Sequence, residues 1–203
     1  MTIRINSLAA LALLAGLGTI GCTTSDGTVG FSGGSSPTTT PPPGLGTVVP
    51  RSAAGALVFS SNGSLQRVDR NGRNLQVLTS GSTDIDPFFH PRGLNLVFSR
   101  SIEGGAKRHI FSMAPDGSNP TDLTPDLAGD AFSPYYAWDG SFILFAVRTA
   151  PGDQRIFLMQ PDGSGRRQLT SGGFDGHPAA SGDGTFVVFQ RATGGGQSKI
   201  CRL

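Results

Sequence analysis

The chain has 203 residues, a formal net charge of +2 and only 15% charged residues. Its arginines are scattered, so the sequence lacks the basic patch on which nucleic-acid binding depends. Its two cysteines, Cys22 and Cys201, form neither a CxxC redox pair nor a metal-binding cluster. The 30 glycines and 14 prolines are typical of a fold with many short strands and tight turns.

The first 21 residues have the pattern of a signal peptide. Arg4 gives a positive start, and residues 8–20 form an apolar stretch shorter than the roughly 20 residues that span a bilayer. The stretch ends in Thr-Ile-Gly-Cys at 19–22, which resembles the bacterial lipobox. This resemblance implies that Cys22 carries the lipid and becomes the mature N-terminus. The other interpretation is an ordinary cleaved signal with an incidental cysteine.

Residues 22–46 are expected to form a disordered linker. They are rich in Gly, Ser, Thr and Pro, and such a segment buries too little apolar surface to offset the entropy lost on ordering. Residues 30–34 (Gly-Phe-Ser-Gly-Gly) match the G-x-S-x-G pattern of hydrolase nucleophiles. That pattern needs a strand before the serine and a helix after it, so Ser32 is not expected to be catalytic.

An internal repeat of about 45 residues organises the third segment, residues 47–203. Three copies have an apolar strand with a Phe, a second apolar strand, an Asn-Gly or Asp-Gly turn and a Leu-Thr pair, and a fourth copy has the two apolar strands. The Phe residues are Phe59, Phe98, Phe145 and Phe189, the turns begin at Asn71, Asp116 and Asp162, and the pairs end at Thr79, Thr124 and Thr170. In three copies a proline precedes these features, at Pro87, Pro134 and Pro178.

Each copy is therefore predicted to form four short strands, the first of them after the proline, as at Phe88-Phe89 and Tyr135-Tyr136. Asn-Gly and Asp-Gly tolerate positive φ and suit the turns between such strands. The Phe residues are expected to pack between the sheets. The first copy is degenerate, with residues 47–49 as its candidate first strand, and the last copy lacks its outer strand. The predicted fold is all-β and propeller-like, with about four four-stranded blades.

Residues 156–170, IFLMQPDGSGRRQLT, resemble the repeats of TolB-like propellers, which are also called PD40 or WD40-like repeats. The resemblance covers about residues 56–203 and implies a β-propeller. TolB-like propellers usually have six blades, whereas four copies are present here. Three alternatives are open: a compact ring of four blades, an open arc that pairs with another chain as a homo-oligomer, and a truncated propeller.

The candidate interaction residues are Tyr135, Tyr136, Trp138 and His177. Partly exposed aromatic side chains anchor protein partners, and His177 begins a first strand near the inner edge of its blade. Asp84 and Asp86 are weighed as a cation site on the central channel. Asp116, Asp162 and Asp183 are expected to form turns. No catalytic residue, metal site or cofactor is expected.

The sequence thus favours a non-catalytic lipoprotein of the cell envelope that binds or scaffolds envelope proteins or peptides. In Gram-negative lipoproteins an Asp after the lipidated cysteine tends to retain the protein at the inner membrane. The resemblance therefore implies, for a Gram-negative source, that Thr23 favours the outer membrane, with the protein facing the periplasm or the cell surface. One alternative is a propeller enzyme acting on glycans or peptides, for which His90, His177 and Asp86 would have to converge. Another is a truncated remnant with no independent role.

Overall fold

A computed structural model describes residues 56–81 and 83–203; the predicted signal peptide, the linker, Cys22 and residues 47–49 lie outside them. The described strands are β1 (Ala56–Ser61), β2 (Ser64–Asp69), β3 (Gln76–Val77), β4 (Ile85–Phe89), β5 (Leu96–Ile102), β6 (Lys107–Met113), β7 (Thr121–Asp122), β8 (Asp130–Tyr136), β9 (Ile143–Ala150), β10 (Asp153–Met159), β11 (Arg167–Gln168), β12 (Phe174–Ala180), β13 (Val187–Gly194) and β14 (Gln197–Arg202). A single 3₁₀ turn, Glu103–Gly105, is described, between β5 and β6. In this part of the chain no helix is long and apolar enough to cross a membrane.

Consecutive strands pair antiparallel into four meanders, here named blades I to IV. Blade I is β1–β3, blade II is β4–β7, blade III is β8–β11 and blade IV is β12–β14. Blades III and IV also share one parallel pair, Gln154 with Phe174. Within the described residues blade IV has three strands and no fourth. The predicted all-β, propeller-like fold with an incomplete last blade is therefore confirmed.

The first strands are longer than predicted, because they begin before the proline and run through it. In β4, Asp86 and Pro87 together stand opposite the single residue Phe98, since Ile85 pairs with Ser99 and Phe88 with Val97. This is a β-bulge. Proline has no N–H to give to the neighbouring strand, and the bulge places it where the ladder is already interrupted. Blades III and IV have the same register shift at Pro134 and Pro178.

The Leu-Thr pair fastens the last strand of blades I, II and III to the strand before it. The threonine hydroxyl oxygen accepts a hydrogen bond from a backbone N–H of β2, β6 or β10. The pairs are Leu65 N–H to Thr79, Ile110 N–H to Thr124 and Ile156 N–H to Thr170, at 2.9, 3.0 and 3.0 Å. Each bond satisfies a backbone donor that the short fourth strand leaves unpaired.

The predicted turn aspartates form the turns expected of them. A carboxylate oxygen of each accepts a backbone N–H two residues further on, from Ser118 to Asp116, Ser164 to Asp162 and Thr185 to Asp183. Hydrogen bonds from the Ser181 hydroxyl and from Thr185 lower the pKa of Asp183 to about 2. The glycine that follows each aspartate has positive φ, which an L side chain adopts only with strain.

The apolar core lies between successive blades. Phe98 of blade II packs with Leu65 and Leu78 of blade I. In the same way Phe145 of blade III packs against blade II, and Phe189 of blade IV against blade III. These three Phe residues are buried, as predicted. Phe59 is 38% exposed instead, because within the described residues no blade precedes blade I.

Candidate interaction surface

The β-bulges place three chemically different side chains at one repeated position of the first strands of blades II, III and IV, here called the inner strands. Asp86, Ser133 and His177 each precede the proline of a first strand, and their φ angles are 53°, 52° and 50°. The first strands of adjacent blades contact each other, β4 with β8 and β8 with β12. A non-glycine residue in the left-handed region costs of order 1 kcal/mol or more, and such residues cluster at functional sites. This row is the part of the fold most suited to a ligand.

Two members of the row are bonded to each other across the interface between blades II and III. The Ser133 backbone N–H donates to Asp86 Oδ2 at 3.1 Å, and the Ser133 hydroxyl donates to the same oxygen at 3.3 Å. Among the described residues no hydrogen bond joins His177 to Ser133 or to Asp86. A serine nucleophile needs a base within hydrogen-bond reach, and here the hydroxyl is directed at a carboxylate instead. The Asp, Ser and His of this row are therefore not arranged as a hydrolase triad.

His177 is exposed and borders a cleft of about 290 Å³ that is lined by β12, β13 and the start of β14 in blade IV and by Gln154 of blade III. Phe174 contributes an aromatic wall, and Gln154, Gln190 and Ser198 contribute amide and hydroxyl groups. Gln154 donates to the Asp175 carbonyl oxygen at 2.8 Å, and Gln190 donates to the Ser198 hydroxyl at 2.7 Å. The volume is at the low end for small-molecule sites. An aromatic wall with neutral amides suits the side chain and backbone of a peptide.

Buried ion pairs hold the inner strands of blades II and IV in place beside the bulges. Asp84 and Asp175 are fully buried, and each binds an arginine of the next strand through two hydrogen bonds. Arg100 donates to Asp84 at 2.8 and 2.9 Å and also lies over the Phe98 ring, 5.0 Å from its centroid. The hydrogen bond to Asp84 raises the pKa of Arg100.

The two carboxylates considered as a cation site, those of Asp84 and Asp86, both have hydrogen-bond donors within the protein. The Asp84 carboxylate is engaged by a guanidinium and that of Asp86 by Ser133, so the two do not form an open pair of ligands. In the part of the chain that the structure describes, no group of three or more potential metal ligands is present. Sequence reasoning missed both ion pairs. The sixteen-residue spacing shared by Asp84–Arg100 and Asp175–Arg191 is the signal that could have found them.

The predicted aromatic cluster divides into one exposed and two packed side chains. Trp138 is 51% exposed on the turn between β8 and β9. Tyr135 is partly buried, with its ring 4.3 Å from that of Phe88. Tyr136 is 1% exposed, and its hydroxyl donates to Asn95 at 3.0 Å. Burial raises the pKa of Tyr136 to about 12. Tyr136 therefore joins blades II and III and is not accessible to a partner.

The other two histidines have structural surroundings. His90 lies edge-on to the Tyr136 ring at 5.0 Å, and its Nδ1 accepts the backbone N–H of Arg92 at 3.1 Å. Burial, with the Arg92 charge second, lowers the pKa of His90. His109 Nδ1 lies 2.7 Å from Asp122 Oδ2. The structure thus joins Asp86 to Ser133 and places His90 against Tyr136 in the same interface between blades II and III, whereas His177 lies beside the cleft at blade IV.

Comparison with known proteins gives a curated relative named as a TolB homolog. No protein-family model matches the chain. A TolB homolog from Chlorobium luteolum is 30% identical over 142 residues, which cover 67% of this chain and 31% of that protein. The chain therefore spans about a third of the length of this curated relative.

Solved structures give the same fold. A protein assigned as TolB from Agrobacterium tumefaciens has a TM-score of 0.63 at 24% identity, over 74% of this chain and 54% of that one. TolB from Acinetobacter baumannii gives 0.60 at 19%, over 73% and 39%. An oligogalacturonate lyase in complex with manganese gives 0.53 at 18%, over 69% and 39%. Identities this low show the fold and leave activity open.

The strand order, the interblade core and these likenesses define the class: the described chain is an incomplete β-propeller. Within that class its repeats are of one type: the Asn-Gly or Asp-Gly turn and the Leu-Thr pair recur in blades I to III, and the proline bulge recurs in blades II to IV. The chain is a TolB-like β-propeller repeat protein.

Proposed function

We propose that this protein is a non-catalytic, lipid-anchored module of the bacterial envelope that binds an extended segment of another envelope protein. The observation that carries the proposal is that His177, which is exposed and has a left-handed backbone conformation, borders a cleft lined by Phe174 and neutral amide side chains. Strained residues held by the surrounding fold are pre-organised, and a pre-organised surface loses less entropy on binding.

Trp138 gives the module a second contact for a partner. It is a half-exposed aromatic side chain on a tight turn, and tryptophan is among the residues that most often dominate binding energy. Its turn is held by Asp139, which accepts hydrogen bonds from the Ser141 backbone N–H and hydroxyl at 2.9 and 2.6 Å.

Variants of these two residues test the binding role. The tagged full chain and its His177→Ala, Trp138→Ala and Leu94→Ala variants are expressed in the source bacterium, cross-linked and purified from the membrane fraction. Leu94 is a matched control, because it is exposed on an equivalent turn of blade II. We expect a partner that the parent and the Leu94 variant recover and that the His177 or Trp138 variant loses. Equal recovery by all four proteins would contradict this surface.

The lipid anchor is tested separately. Metabolic labelling with a radioactive fatty acid is expected to label the parent chain and not its Cys22→Ala variant. Stable attachment takes more than one acyl chain, and Cys22 is the proposed site that carries them. The variant, which lacks this site, is therefore also expected to leave the membrane fraction. A labelled Cys22→Ala variant would overturn the anchor and leave the binding surface untouched.

An enzyme of the propeller class is the second candidate, favoured by one observation: a lyase shares the fold. A panel of glycan and peptide substrates, with His177→Ala as control, examines it. Turnover lost in that variant would replace the binding role with catalysis in the same cleft.

A further inference from the structure

We infer that His90 is a pH-sensitive switch: its protonation in mild acid opens its own turn in blade II and displaces the Trp138 turn of blade III. The two turns join the first strand to the second in their blades, at residues 90–95 and 137–142. This switch does not depend on the binding role proposed for Trp138, because it concerns only how the two turns are held.

The turn of blade II is held by an imidazole, whereas the turns of blades III and IV are held by carboxylates. His90 Nδ1 accepts the Arg92 backbone N–H at 3.1 Å. In the other two turns Asp139 and Asp183 stand at the position of Arg92, and each accepts a backbone N–H two residues further on, at 2.9 and 3.1 Å. Hydrogen bonds from neighbouring hydroxyls and backbone N–H groups lower the pKa of both aspartates. Between pH 8 and 5 these two turns therefore keep their acceptor, whereas an imidazole takes up a proton in that range.

Protonation removes the acceptor that holds the turn of blade II. Because His90 Nδ1 accepts a hydrogen bond, the neutral ring carries its proton on Nε2, and a second proton from solvent has to go to Nδ1. The imidazolium then directs an N–H at the Arg92 N–H, and the hydrogen bond between them is lost. The Arg92 N–H can regain an acceptor only from water, for which the turn has to open.

The His90 ring also packs on the Trp138 turn. A Cβ built on Gly140 would overlap His90 Nε2 and lie 2.6 Å from Cε1, so the ring lies against the Gly140 backbone. Gly184, the equivalent glycine of blade IV, has nothing within 4 Å of that point, and the residue that corresponds to His90 there is Ala137. His90 is 9% exposed, so a charged ring becomes hydrated only if the Gly140 turn gives way. Trp138, two residues before Gly140, then changes its surroundings.

The charged and titratable groups around His90 act in opposite directions. Arg92, on the same turn, disfavours the charged ring, and Asp139 of blade III favours it. Tyr136 lies 5.0 Å from the imidazole and stays protonated, because burial raises its pKa to about 12. Burial of His90, with the Arg92 charge second, outweighs Asp139 and lowers the pKa of His90 below its usual 6.5. The unfolded chain binds this proton first, so the stability that neutral His90 contributes is present above pH 6.5 and is lost as the pH falls.

Trp138 reports the switch directly, because it is the single tryptophan of the chain. Its fluorescence is measured on the full chain in a mild detergent from pH 8 to 5, with circular dichroism recorded at each pH. The parent is expected to show a one-proton change in emission, with a midpoint below pH 6.5 and its β-sheet spectrum retained. His90→Asn is expected to show no such change. An asparagine oxygen does not titrate, and it accepts an N–H two residues further on, as Asn71 does from Arg73 at 3.2 Å.

Charge variants distinguish a titrating switch from a merely structural histidine. Arg92→Gln removes a positive charge beside the ring and is expected to raise the midpoint, whereas Asp139→Asn removes a negative charge and is expected to lower it. His177→Gln, which replaces an exposed histidine of blade IV, is the matched control and is expected to titrate as the parent does.

Five outcomes would overturn the switch. They are a parent whose emission does not change, a change that persists in His90→Asn, a change that is lost in His177→Gln, midpoints that stay fixed in both charge variants, and loss of the β-sheet spectrum together with the change in emission. The last of these would show that acid unfolds the whole domain instead of opening two turns.

Discussion

Arg191 binds the fully buried carboxylate of Asp175 through two hydrogen bonds, 2.6 Å from Nε to Oδ1 and 2.8 Å from the second nitrogen to Oδ2. Asp84 and Arg100 make the same pair in blade II. In blade III the equivalent positions are Ala131 and Val147, and both are buried. One repeat position therefore holds either an ion pair or an apolar pair in the same backbone.

This comparison predicts how the free energy of unfolding changes when the ion pair of blade II is replaced by the apolar pair of blade III. Asp84→Ala alone leaves Arg100 without its partner and is expected to cost up to about 3 kcal/mol, at the low end for buried pairs because the guanidinium is partly exposed. The double variant Asp84→Ala with Arg100→Val is expected to recover most of that loss. Urea unfolding measures both, and Asp126→Ala, which breaks the exposed pair with Arg166, is the control. A double variant less stable than the single one would contradict the comparison.

Thr124 gives a prediction about the fastening of the fourth strand. Thr124→Val keeps the shape but removes the acceptor for the Ile110 N–H, which is then buried without a partner. The expected loss is about 1–3 kcal/mol in the free energy of unfolding. Thr121→Val, on the exposed part of the same strand, is the matched control and is expected to change stability by less than about 0.5 kcal/mol.

Two glycines with the same backbone geometry separate strain from packing. Gly163 and Gly72 both have positive φ, 88° and 77°, so replacement by alanine strains each by about 1 kcal/mol. Only Gly163 lies against a neighbouring carbonyl, that of Leu123. Gly163→Ala is therefore expected to lower the melting temperature more than Gly72→Ala. Equal losses would show that the turn of blade III does not pack on blade II as described.

Tyr136 predicts a loss of stability in alkali. Its pKa is raised to about 12 in the folded chain, against 10.0 ordinarily, so between these values the unfolded chain releases a proton that the folded chain retains. The contribution of the protonated Tyr136 to the free energy of unfolding is fully present below pH 10. It falls by up to about 2–3 kcal/mol as the pH rises toward 12. Denaturant unfolding from pH 8 to 11.5 is expected to show a steeper decline for the parent than for Tyr136→Phe. Parallel curves would refute it.

The repeat made the architecture predictable, because turn, Leu-Thr and Phe positions recur with nearly constant spacing. Phe98, Phe145 and Phe189 were placed in the core on that basis, and they lie there. Phe59 departs because burial depends on a neighbouring blade, which a position within one repeat does not reveal.

The surface was less predictable. Adjacent aromatic residues in a strand point to opposite faces, so Tyr136 is buried while Tyr135 is only partly covered. The strand also continues through the proline, and the resulting bulge sets the direction of Asp86, Ser133 and His177. Proline spacing marks where such a bulge can occur, but the left-handed turn of the preceding residue becomes visible only with the pairing of the neighbouring strand.

The bulge also separates what the fold requires from what can vary. Its backbone is set by the proline and by the Phe on the facing strand, so the residue before the proline is free to change its chemistry without moving the frame. The chain carries an acid, an alcohol and an imidazole at this place in three successive blades. Single substitutions can therefore change the chemistry of this row one blade at a time, while every sheet keeps its register.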